Sequence, residues 1–126
     1  MIPQLEWSDL GSEKYVYSVF GFDQEWCDFP GNYIFARRGR KGWEALYIGE
    51  TESLRLCVNK QHPAWAYCRS RGATHVLVHF NFAGRVARQA EEQALVLAYD
   101  PPGNNPESSG TYVRLPDFRG RCGAGP

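Results

Sequence analysis

Two β-forming runs, residues 32–37 and 43–49, stand on either side of Gly39-Arg40-Lys41-Gly42. A connection that short cannot carry a crossover, so the runs must pair antiparallel. A third run, Thr74-His75-Val76-Leu77-Val78-His79-Phe80, is rich in β-formers around an apolar centre and predicts a buried strand. After Gly49, Glu50-Thr51-Glu52-Ser53 supplies a helix start, with Thr51 or Ser53 as cap and the acids beside the positive helix end. That helix is expected to run until just before Pro63. A second short helix is predicted over 64–71, closed by Gly72, and a long one over 85–99, closed by Pro101-Pro102. The expected fold is α+β: a small three-stranded, largely antiparallel sheet flanked by helices.

With 126 residues and 43% hydrophobic content, the chain can build one core and is too short for two ordinary domains. Residues 1–28 read as an acidic, aromatic N-terminal arm, in which 15–20 is either a short strand or an aromatic-anchored arm. Residues 21–31 read as a loop pinned by Trp26, Phe29 and Pro30. The core domain is expected over 29–105. A Pro/Ser/Gly-rich tail follows over 106–126, with 112–118 able to lie against the body. No apolar run approaches the ~20 residues of a membrane span, and the start lacks the basic region and apolar core of a signal peptide. A cytoplasmic location without a membrane partner is the expectation. Cys27, Cys57, Cys68 and Cys122 show no CxxC or zinc spacing and read as free thiols.

The formal charge is zero but uneven. Residues 1–30 hold six acids against Lys14, a net of −5, and the remainder holds 13 Lys or Arg against 8 acids, a net of +5. Arginine outnumbers lysine 11 to 3, which suits phosphate recognition because a guanidinium donates two parallel hydrogen bonds. The plain alternative is a solvated, charge-balanced surface.

The chemistry-bearing residues fall in a fixed order. Gly31-Asn32-Tyr33 precedes Tyr47-Ile48-Gly49, and Glu92 lies twelve residues before Asn104, with Leu95-Val96 and Pro101 between. This ordered set, spanning 29–105, resembles the GIY-YIG nuclease superfamily. The resemblance implies a metal-dependent endonuclease cleaving phosphodiester bonds in DNA, with a divalent ion, magnesium being the expected one. It implies Tyr47 as base or water-orienting group, Tyr33 as its partner, Glu92 as metal ligand, Asn104 as a brace for the last turn, and His62 as a hydrogen-bond donor to phosphate. Such hydrolysis needs an activated water and positive charge beside the phosphoryl oxygens. The nucleic-acid footprint is expected at Arg37, Arg38, Arg40 and Lys41, with Lys60 and Arg88 as further cations.

Each residue also has a plainer reading. Strand tyrosines usually pack, Glu92 follows Arg88 at i+4 as a surface ion pair would, Asn104 can cap a turn, and His62 can be an exposed histidine. Glu91 competes with Glu92, and only the spacing selects between them. His75 and His79 share one face of their strand but lack a third metal ligand.

The departure from the family pattern is Cys57, ten residues after Tyr47, where the resemblance places an arginine. A cysteine cannot donate forked, charged hydrogen bonds. Lys60 or Arg88 could substitute, or a shifted helix register would make Arg55 the counterpart. The competing function is therefore a catalytically inactive GIY-YIG-fold module binding nucleic acid or a protein. A third class, an inhibitor or subunit, would dock a protein partner through the acidic N-terminal arm.

Overall fold

The last strand among the described residues lies at the centre of the sheet. The computed structural model describes residues 2–104. In chain order they form β1 (Gln4–Ser8), β2 (Lys14–Gly21), β3 (Gly31–Gly39), β4 (Gly42–Thr51), α1 (Leu54–Cys57), α2 (Trp65–Ser70), β5 (His75–Phe80) and α3 (Arg85–Tyr99). The strands make one sheet in the order β1-β2-β5-β3-β4, and every neighbouring pair is antiparallel. The tail over 106–126, its 112–118 segment and Cys122 lie outside the described residues.

The class is α+β as expected, but the sheet has five strands and not three. The two additional strands come from residues assigned to an N-terminal arm. Leu5 and Trp7, like Tyr15, Tyr17 and Val19, alternate with outward-facing residues and pack into one cluster. Asp9 closes the hairpin between them by accepting from the Gly11 and Glu13 amides, each at 2.9 Å. β2 then covers the free edge of β5 and buries Tyr17 completely. An unpaired arm would leave both that edge and those rings in water.

The hairpin, the buried central strand and the long helix fall where the sequence predicts them. α1 does not run on towards Pro63. Ser53 caps its start, accepting from the Leu56 amide at 3.3 Å, while Thr51 stays at the end of β4. The helix ends after Cys57 because the Asn59 side chain donates to the carbonyls of Leu56, at 3.1 Å, and Arg55, at 3.4 Å. Those carbonyls would otherwise have recruited the next turn.

The sheet buries both faces. Tyr33, Phe35 and Tyr47 pack with Leu54 of α1 and Ala64 and Cys68 at α2. Ile34, Ile48 and Leu77 pack with Tyr17 and with Leu95 of α3. Each large side chain buried in this way stabilises the fold by about 1.5–3 kcal/mol. The consequence for the site is register: alternation in β3 sends Tyr33 to one face and Asn32 to the other, where Asn32 meets α3.

Candidate functional site

Tyr33 of β3 is the meeting point. His62 Nε2 lies 2.7 Å from its hydroxyl and Cys57 Sγ lies 3.2 Å from it. The Tyr47 ring stands 6.1 Å from the Tyr33 ring and 5.0 Å from the His62 ring, centre to centre. Four residues from β3, β4, α1 and the α1–α2 connection thus converge, and none is more than 5% exposed. The Ala64 amide donates to His62 Nδ1 at 2.9 Å, so in the neutral ring Nε2 carries the proton and donates it to Tyr33. Burial holds the His62 pKa down to about 3, which keeps the ring neutral. Burial likewise raises the Tyr33 pKa well above that of an ordinary phenol, with Tyr47, Glu92 and Glu50 adding to the effect. Tyr33 is therefore a protonated donor, suited to orienting a water or a phosphoryl oxygen and unsuited to removing a proton.

Glu92 projects from α3 and is 5% exposed, near enough for its charge to act on Tyr33. The i+4 pairing with Arg88 gives way to a different partner: Arg88 Nε donates to Glu50 of β4 at 3.0 Å, and both side chains are 5% exposed. Arg88 is thus held inside, away from any nucleic acid at the surface. Its backbone carbonyl accepts from Asn32 at 2.8 Å, and Asn32 accepts from Asn81 at 2.9 Å, which fixes the rotation of α3 and with it the direction of Glu92. Glu91 belongs to another group, accepting from Tyr17 at 2.6 Å and contacting His79 Nδ1 at 2.8 Å. The two adjacent glutamates are separated by the 100° step of the helix.

Asn104 clamps the edge of the sheet. Its side chain accepts from the Ile48 amide and donates to the Ile48 carbonyl, both at 2.8 Å, and the Gly103 amide donates to Leu46 at 2.7 Å. These contacts fasten the segment after α3 to β4. A Cβ on Gly103 would stand 2.5 Å from the Leu46 carbonyl oxygen, and one on Gly49 would stand 2.5 Å from the Tyr33 hydroxyl. Both glycines are required by close approach.

The basic turn forms the β3–β4 tip. Arg37 pairs with Glu44, Arg38 lies over the Trp43 ring at 5.8 Å, and Arg40 and Lys41 are exposed. Gly39 stands six strand positions beyond Tyr33, so the tip is roughly 20 Å from the tyrosine cluster. Lys60 is exposed on the α1–α2 connection and shares no helical face with Cys57, because α1 has already ended. Arg55 points outward to Asp28 at 3.6 Å while Cys57 is 1% exposed. The register thus turns Cys57 inward, and Arg55 is not its counterpart.

His75 contacts Thr74 and Trp43 and His79 contacts Glu91, which leaves the two strand histidines in separate environments. Among the described residues no group of three or more His, Cys, Asp or Glu is assembled; Cys27 and Cys68 are free thiols as expected, whereas Cys57, also expected as a free thiol, is disulfide-bonded. No described helix is long and apolar enough to cross a membrane. Sequence reasoning missed a cleft of about 570 Å³ walled by Phe22, Trp26 and Trp65. Its signal was two tryptophans set among polar residues in segments without regular alternation. No family model, curated protein or solved structure matches this chain.

Proposed function

We propose that the chain is an endonuclease domain of the GIY-YIG type that hydrolyses DNA with a divalent metal ion, magnesium by the chemistry of its donor. The observation that carries the reading is the convergence of Tyr33, Tyr47 and His62, with Glu92 in electrostatic reach and Asn104 fastening the last turn. Residues spread over thirty positions of sequence, from Tyr33 to His62, meet around one hydroxyl.

In this reading the Glu92 carboxylate would hold the ion, being a hard oxygen donor of the kind magnesium takes alongside phosphate oxygens and water. When bound, such an ion would supply positive charge beside the phosphoryl oxygens. Tyr47 orients the attacking water. Tyr33, its oxygen already accepting from His62, turns its own proton to a phosphoryl oxygen. His62 acts as a fixed neutral donor and not as a charged acid. Cys57 occupies the place where the resemblance expects a guanidinium, and Arg88 is committed to Glu50.

Those last two contacts favour a second reading, a module of the same fold that binds DNA or a protein without cleaving. The deciding experiment is cleavage of supercoiled, linear and branched DNA with Mg²⁺ or Mn²⁺, comparing wild type with Glu92→Gln. The amide keeps the volume and loses the charge, so cleavage should vanish while the fold persists. Wild-type-like cleavage by the variant removes Glu92 from the mechanism. Binding without cleavage by the wild type selects the module.

A further inference from the structure

The cleft beside α1 and α2 has a lining that no part of the proposed hydrolysis uses. Its aromatic wall is continuous with the tyrosine cluster. Trp65 meets Phe22 edge-on at 4.8 Å and packs 5.7 Å from Phe35, and Phe35 in turn lies 5.0 Å from His62 and 5.9 Å from Tyr47. Trp26, set edge-on against Phe20 at 5.0 Å, lines the cleft as well. Lys60, Asp23 and Glu25 line the same cleft, as does Arg55, which is paired with Asp28 at 3.6 Å.

We propose that this cleft binds one unpaired nucleotide of the DNA substrate, its base against the tryptophans and its phosphate on Lys60. The inference rests on the DNA-cleaving reading and narrows the substrate to DNA with an unpaired segment beside the scissile bond. A base inside a duplex has both faces covered by its neighbours, whereas an unpaired base can lie on an aromatic ring. The mixed charge of the lining fits a nucleotide better than an ion of either sign. Lys60 meets the phosphate, and carboxylates accept from the exocyclic amine that cytosine carries and thymine lacks. At about 570 Å³ the cleft is the size of a small-ligand site.

The test measures binding of short oligonucleotides by tryptophan fluorescence, in EDTA so that cleavage plays no part. An oligo(dC) strand should bind about tenfold more tightly than an abasic strand of equal length and charge, with oligo(dT) between them. Trp26→Ala should erase most of that difference and Trp26→Phe should keep it, while Lys60→Ala should weaken both strands alike. An abasic strand that binds unaltered protein as tightly as oligo(dC) overturns the proposal, and so does a folded Trp26→Ala that retains the full preference. Equal binding of oligo(dC) and duplex overturns it as well. Because the oligonucleotide comparison needs neither metal nor turnover, its failure is separate from failure of the Glu92→Gln test.

Discussion

His62 Nε2 stands 2.7 Å from Tyr33 Oη while the Ala64 amide occupies the opposite ring nitrogen at 2.9 Å, so the imidazole is held neutral and in one tautomer. A protonated His62 would place a second proton against the Ala64 N–H.

That arrangement makes acid stability a reporter of the site. His62 titrates near 3 when folded and near 6.5 when unfolded. Below 6.5 the unfolded chain takes up a proton that the folded chain refuses, so stability present at neutral pH is lost as pH falls through the window from 6.5 to 3. The slope contributed approaches ~1.4 kcal/mol per pH unit. His62→Gln should flatten this limb in urea titrations between pH 7 and 4. Parallel curves for wild type and variant would show that the ring is not held as described.

The Asn104 clamp should be visible in stability before it is visible in activity. Asn104→Ala leaves both Ile48 backbone groups without the side chain they now contact and should cost about 1–3 kcal/mol. Gly103→Ala should cost a similar ~1–3 kcal/mol by overpacking, because its Cβ meets the Leu46 carbonyl at 2.5 Å and backbone must shift. Thermal melts decide, and an unchanged midpoint for either variant contradicts the geometry.

At the hairpin tip, the Arg37–Glu44 pair divides the basic residues into two kinds. Neutralising Arg38, Arg40 and Lys41 should lower duplex-DNA affinity and reduce the slope of log K against log salt by about 0.9 for each phosphate that the protein no longer neutralises. Neutralising Arg37 alone should matter less, and Glu44→Gln, which releases it, should strengthen binding. Salt titrations of all three variants test the footprint, and an unaltered slope in the triple variant places it elsewhere.

Cys57 decides how complete the catalytic site is. It is 1% exposed, lies against Tyr33 and is disulfide-bonded, so Cys57→Arg must push a guanidinium into packed surroundings and also removes a cross-link, and should destabilise the fold by roughly 2–5 kcal/mol. The same change supplies a charged donor beside Tyr33 and should raise cleavage by ~10²-fold. Rate and melting temperature measured on one preparation separate the two effects. A variant that folds, binds DNA and cleaves no faster than wild type shows that arginine at this position is not what limits the reaction.

The local signals in the sequence were strong where the chain is punctuated. Gly39-Arg40-Lys41-Gly42 made a hairpin unavoidable, Pro101-Pro102 ended α3, and the apolar centre of 74–80 marked a buried strand, because each rests on backbone geometry within a few residues. The fate of residues 4–21 was not legible in this way. Whether alternating aromatics make an arm or two strands depends on an open edge, and that edge belongs to β5, more than fifty residues away. Tertiary structure likewise decided that Arg88 answers Glu50 and not Glu92, and that Cys57 and not Arg55 faces inward. Helical spacing names neighbours along one helix, but burial and the nearest carboxylate across the sheet choose the partner. The sequence by itself determined which residues can carry chemistry; only packing determined that Tyr33, Tyr47, His62 and Cys57 stand close enough to act on one another.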